Sequence, residues 1–137
     1  MRWKNFGKTT TEEGLKVFFS GKEDKHKHGV GFLVHKDIVN TVIGCHPVSS
    51  RLITICLRAV PFNITIVQVY TQTSYHDDYE QLQNVIDQTP KDIHVVQGDW
   101  NVKVGKDACG NWRGICGSFC NDDTDERGLK TSGVCCL

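Results

Sequence analysis

Phe62-Asn63-Ile64-Thr65-Ile66-Val67-Gln68-Val69-Tyr70 decides the fold class. Its β-branched residues are stiff at χ1 and pack well on a pleated surface, so the stretch predicts one long strand. Toward the N-terminus, Ala59-Val60-Pro61 reads as a turn. Arg51 to Arg58 reads as a strand in which Ile53, Ile55 and Leu57 face one way and Leu52, Thr54 and Cys56 the other. Ile38 to Cys45 and Gly29 to His35 are also β-rich, with Lys36-Asp37 as a tight turn between them. Gly21 to His28 is a charged turn, and Leu15 to Phe19 a short apolar run. Strand signals at roughly 8–12 residue spacing predict antiparallel hairpins in a sandwich-like sheet.

Toward the C-terminus the period changes. Tyr79, Leu82, Val85 and Ile86 follow helical spacing, with Asp77 and Asp78 at the end that favours negative charge. Thr89-Pro90 ends that helix. Ile93 to Gln97 is a further strand that runs into Gly98-Asp99-Trp100-Asn101. The span from Phe62 to Gln97 is long enough for a strand–helix–strand crossover. The predicted class is therefore α/β with sheets as the main core. After Val104 the order of Gly, Asp, Asn and Cys reads as loop to the end.

Composition excludes several function classes. Lys plus Arg and Asp plus Glu each total 16 in 137 residues, so no global basic field draws the chain to nucleic acid. No apolar run approaches the ~20 residues of a membrane span. Met1-Arg2-Trp3-Lys4-Asn5 has no apolar stretch behind it, which predicts an intracellular, non-secreted protein and an unused sequon at Asn63-Ile64-Thr65. The seven cysteines then read as reduced thiols. Cys116 and Cys120 have the spacing of half a zinc site, but Cys135 and Cys136 are adjacent and make poor partners for a tetrahedron. Scattered free thiols are the simpler reading, Cys109 among them. The six histidines show no catalytic spacing.

Asp99 and Asn101 stand out for chemistry. They are two residues apart just past a strand, and in an extended segment such residues point the same way. A carboxylate can take a proton from water, and an amide can donate to a phosphorane oxygen or ligate a cation. Gly98 allows close backbone approach. The alternative is an Asx turn that closes the strand. Tyr70 ends the earlier strand and would lie beside Asp99 if the two strands neighbour each other. Its alternative is ordinary packing.

Four stretches resemble a known family in order and spacing. They are Phe18-Phe19-Ser20-Gly21, His28-Gly29-Val30-Gly31-Phe32-Leu33-Val34, Pro61 to Tyr70, and Gly98-Asp99-Trp100-Asn101-Val102-Lys103-Val104-Gly105. The chain resembles the endonuclease/exonuclease/phosphatase superfamily, in the branch of non-long-terminal-repeat retrotransposon (LINE) endonucleases, and within it the craniofacial development protein 2-like family. The likeness runs from Met1 to about Leu129. It implies an incomplete two-sheet α/β sandwich of that type, mostly antiparallel, with one or two helices. The domain expected is 1–129, followed by a non-family tail at 130–137.

The resemblance also implies a reaction. The family hydrolyses DNA phosphodiester bonds with a divalent cation, usually Mg2+. Its Gly-Asp-Phe/Trp-Asn motif matches Gly98 to Asn101. Asp99 would orient or deprotonate the attacking water. Asn101 would stabilise the phosphorane and touch the metal shell. The family's strand-end tyrosine matches Tyr70 and would contact the scissile phosphate. DNA is the implied partner, a nuclear site the implied compartment, and no nucleotide cofactor is implied.

The sequence departs from the family at definite points. Thr71-Gln72-Thr73 replaces the Ala-Pro-Thr that follows the tyrosine. The family's metal-ligating glutamate precedes a Met-Arg-Trp, and this sequence starts with Met1-Arg2-Trp3. Neither a Gln-Ile-Asp-Tyr segment nor a Ser-Asp-His motif occurs. The ending after Gly128-Leu129 is expected to be out of frame. The expected metal set is thus incomplete, Asp99 and Asn101 alone, with weak or absent Mg2+ binding and weak or absent activity. Three readings follow: a truncated retrotransposon-derived nuclease domain, an active endonuclease completed by another chain, and a nonenzymatic interaction module built on the remaining sheet. The truncated domain is also expected to be marginally stable.

Overall fold

A computed structural model describes residues 5–22, 29–71, 76–89 and 92–101. The chain divides into two compact units, Met1–Asp99 and Trp100–Leu137. Trp100 and Asn101 are the described residues of the second unit. The expected boundary at 129/130 and Cys109, Cys116, Cys120, Cys135 and Cys136 lie outside the described residues.

The first unit carries seven strands and a helix among its described residues: β1 (Phe6–Thr10), β2 (Lys16–Gly21), β3 (Gly29–Val34), a 3-10 turn (Val39–Thr41), β4 (Val42–Ser49), β5 (Leu52–Leu57), β6 (Ile64–Tyr70), α1 (His76–Gln88) and β7 (Ile93–Asp99). They form a three-stranded sheet, β1-β2-β3, and a four-stranded sheet, β4-β5-β6-β7. Every pairing is antiparallel except β6–β7, which is parallel. The mostly antiparallel, two-sheet arrangement with one helix is compatible with the expected α/β sandwich.

The core lies on the four-stranded sheet. Leu52, Ile53, Thr54 and Ile55 of β5 are buried in succession. Neighbouring side chains of a strand point to opposite faces, so both faces of β5 are covered. Thr65, Val67 and Val69 on β6 and Leu82 on α1 are buried as well. The smaller sheet contributes Val17, Val30 and Val34. The sheets are joined where the Ser20 hydroxyl of β2 donates to the Ser49 carbonyl of β4 at 2.7 Å.

Three differences from the sequence reading have physical causes. Phe6–Thr10, for which no strand was expected, is β1; its pattern is exposed and irregular, and its pairing with β2 makes it a strand. Ile38 to Thr41 is turn and 3-10 helix rather than strand, with the Thr41 hydroxyl donating to the Ile38 carbonyl at 2.7 Å. β4 then runs on past Cys45 to Ser49. Register shifts occur between Val42 and Gly44 and between Pro47 and Ser49. An edge strand tolerates both irregularity and proline because one row of its backbone groups needs no ladder partner.

The expected crossover is present. α1 covers the helical residues, and the chain returns in β7 parallel to β6. The Thr89 hydroxyl donates to the Val85 carbonyl at 3.1 Å and lies 2.8 Å from His94 Nε2, tying the helix end to β7.

Candidate functional site

The parallel pair sets out the candidate site. β6 and β7 run in register from Ile64↔Ile93 to Tyr70↔Asp99, so both strands end at the same level. Residues paired in register share a face of the sheet. The two residues expected to come together therefore do so, on neighbouring strand ends. The ladder continues one step further, where the Thr71 N–H donates to the Asp99 carbonyl at 2.9 Å. On the other side, the Tyr70 N–H donates to the Arg51 carbonyl at 2.9 Å. Asp99 is exposed and Tyr70 half-buried. Ligands of sheets with parallel strands gather outside the carboxyl ends of those strands, which is where this pair stands.

Gly98 makes the close approach possible. Its φ is +149°. A Cβ there would run into the Val69 carbonyl, so only glycine lets β7 lie this near β6 at its last turn before Asp99.

Asn101 departs from the geometry that sequence spacing implied. β7 stops at Asp99, and Asn101 has φ +46°, in the left-handed region. The extended alternation that placed Asn101 on the face of Asp99 does not continue through it. Asparagine tolerates this region because its short polar side chain can bond locally. The sequence left open, as the alternative, a chain that bends just past the strand, and the left-handed Asn101 agrees with that alternative.

Among the described residues, no group of three or more His, Cys, Asp and Glu could hold a metal ion. Mg2+ demands near-octahedral oxygen ligation, so the described residues do not fit a complete site.

Other features of the unit are separate from this end of the sheet. A cavity of about 500 Å3 opens where the two sheets meet, lined by Phe6, Lys8, Phe18, Phe19, Cys45 and Ile53 among others, and none of the expected site residues lines it. Burial pushes the Cys45 thiol up to about 11, which keeps it protonated and a poor nucleophile at neutral pH. At the amino-terminal end of β7, the Asp92 carboxylate accepts from the Thr65 hydroxyl at 2.7 Å and from the Cys56 thiol at 3.6 Å. Among the described residues, no helix is long and apolar enough to cross a membrane.

The fold and site thus define a two-sheet α/β domain with a polar pair at the ends of its parallel strands. The chain is 31% identical over 142 residues to craniofacial development protein 2 of Bos taurus, a match covering 98% of this chain and 23% of that protein. It is 30% identical over 142 residues to craniofacial development protein 2 of Tragulus javanicus, covering 98% of this chain and 24% of that protein. The chain is a homologue of craniofacial development protein 2 across the region they share, and it spans about a quarter of the length of these relatives. No protein-family model matches the chain. No solved structure matches it either.

Proposed function

We propose that this region derives from a retrotransposon endonuclease of the endonuclease/exonuclease/phosphatase type and that its ancestral reaction is hydrolysis of DNA phosphodiester bonds. The observation that carries the reading is the register pairing of Tyr70 with Asp99 at the carboxyl ends of β6 and β7. A phenol and a carboxylate on adjacent strand ends, about 5 Å apart along the ladder, can address one phosphate and the water beside it. In this reading Tyr70 binds the phosphate. Asp99 orients the water and accepts its proton. By the resemblance alone, Asn101 would donate its amide to the charge that develops on the phosphoryl oxygens. DNA is the partner.

Mg2+ belongs to the family reaction, yet in this sequence the resemblance supplies only Asp99 and Asn101 as metal donors. Two oxygen donors hold an ion that dehydrates reluctantly only weakly. On those two donors alone, slow or absent hydrolysis is the expectation. A supercoiled-plasmid nicking assay with added Mg2+ tests the reading, with Asp99→Ala alongside the wild type. The expected result is nicking close to background, with any residual rate lost in the variant. Vigorous nicking that persists in Asp99→Ala would show that the site lies elsewhere.

A further inference from the structure

The cavity between the two sheets plays no part in the phosphodiester reading, and the strand registers show which side chains face it. In the β1–β2 hairpin, Phe6 is opposite Ser20, Lys8 opposite Phe18 and Thr10 opposite Lys16. Residues opposite each other, and those two apart on one strand, share a face. Phe6, Lys8, Lys16 and Phe18 therefore lie on the face of Ser20, whose hydroxyl reaches the Ser49 carbonyl of the other sheet. On that other sheet Cys45 and Pro47 share a face of β4, and Ile53 of β5 is opposite Pro47. Both sets line the cavity of about 500 Å3, a size within the ~300–1,000 Å3 usual for small-ligand sites.

The walls are apolar apart from two cations. Lys8 and Lys16 are diagonal neighbours across the hairpin, roughly 7–8 Å apart at the backbone. Like charges this near repel each other unless an anion lies between them. Among the described residues no aspartate or glutamate lines the cavity, and the ion pair present is His35 with Asp37. Lys8 is exposed and Lys16 half-buried, and lysine stems cover apolar surface while their ammonium groups stay at its border with water. We propose that this cavity binds a medium-chain alkyl carboxylate, its chain against Phe18, Cys45 and Pro47 and its carboxylate between the Lys8 and Lys16 ammonium groups. The Cys45 thiol, held protonated by burial, adds no charge that would oppose the anion. The apolar chain supplies most of the affinity, and the two lysines choose an acid over a neutral ligand.

Calorimetric titration of the chain with decanoate tests this, with octanoate and the neutral analogue decanol alongside. Decanoate is expected to bind one per chain, more tightly than octanoate by about fourfold per CH2 and more tightly than decanol. Replacing both lysines, Lys8→Ala with Lys16→Ala, is expected to weaken decanoate about tenfold and to leave decanol unchanged. Cys45→Phe fills the cavity with both charges in place and is expected to abolish binding of either ligand. A thermal melt verifies folding of each variant. Should the larger changes unfold the chain, Lys8→Ala alone decides, because its position is exposed; about threefold weaker decanoate binding is expected there. The assignment is overturned if decanoate does not bind, if decanol binds as tightly, or if a folded lysine or Cys45→Phe variant keeps wild-type affinity. None of these outcomes bears on the phosphodiester reading, which the nicking assay tests separately.

Discussion

The two ends of the β6–β7 pair carry the same residue type in opposite circumstances. At the amino-terminal end, Asp92 is half-buried, and its carboxylate accepts from Thr65 and Cys56 on the neighbouring strands. At the carboxyl end, Asp99 is exposed and stands level with Tyr70. One aspartate closes a polar network that fastens the loop after α1 to the sheet. The other is exposed at a strand end, level with Tyr70. A carboxylate beside a strand is therefore not a functional signal in itself. Its level along the ladder and the partners opposite it decide which role it takes.

Perturbing the two ends separates those roles. The largest effect is expected at Gly98. Gly98→Ala sets a Cβ against the Val69 carbonyl at a φ that side chains rarely adopt, and should cost about 3 kcal/mol or more in urea unfolding. Gly14→Ala is the comparison: φ is +81° but no atom lies within 4 Å of the added carbon, so the loss should be nearer 1 kcal/mol. Equal costs would mean that close packing of β7 on β6 contributes nothing.

A smaller contrast is expected between the aspartates. Asp92→Ala leaves the Thr65 hydroxyl, buried on β6, without its acceptor and should cost about 1–3 kcal/mol. Asp99→Ala, at an exposed position, should change stability by less than about 1 kcal/mol. Chemical denaturation of both variants checks this, and a reversed order would exchange the structural and the accessible end.

Much of this was legible in the sequence. The β-branched run of β6, the alternation of β5 and the helical spacing of α1 are period signals, and each element formed close to where its period placed it, with β6 starting at Ile64 rather than Phe62 and β5 spanning Leu52–Leu57 rather than Arg51 to Arg58. The Tyr70–Asp99 pairing followed once β7 was taken as the neighbour of β6. The illegible parts depend on partners rather than period. β1 is a strand because β2 lies beside it, and Pro47 sits in β4 because that strand is an edge. Asn101 was misplaced because a single left-handed residue breaks the alternation on which the argument relied. The large exposed side chains Ile93 and Val95 mark where the sheet's apolar pattern outruns the described cover.

The most direct measurement is a backbone amide NMR titration of the chain with a short DNA duplex. The account predicts shifts concentrated at Tyr70, Thr71 and Asp99, with Thr65, Asp92 and His94 nearly still. Shifts centred on the Asp92 end or on the cavity residues Phe18 and Cys45, with the Tyr70–Asp99 end unmoved, would contradict it.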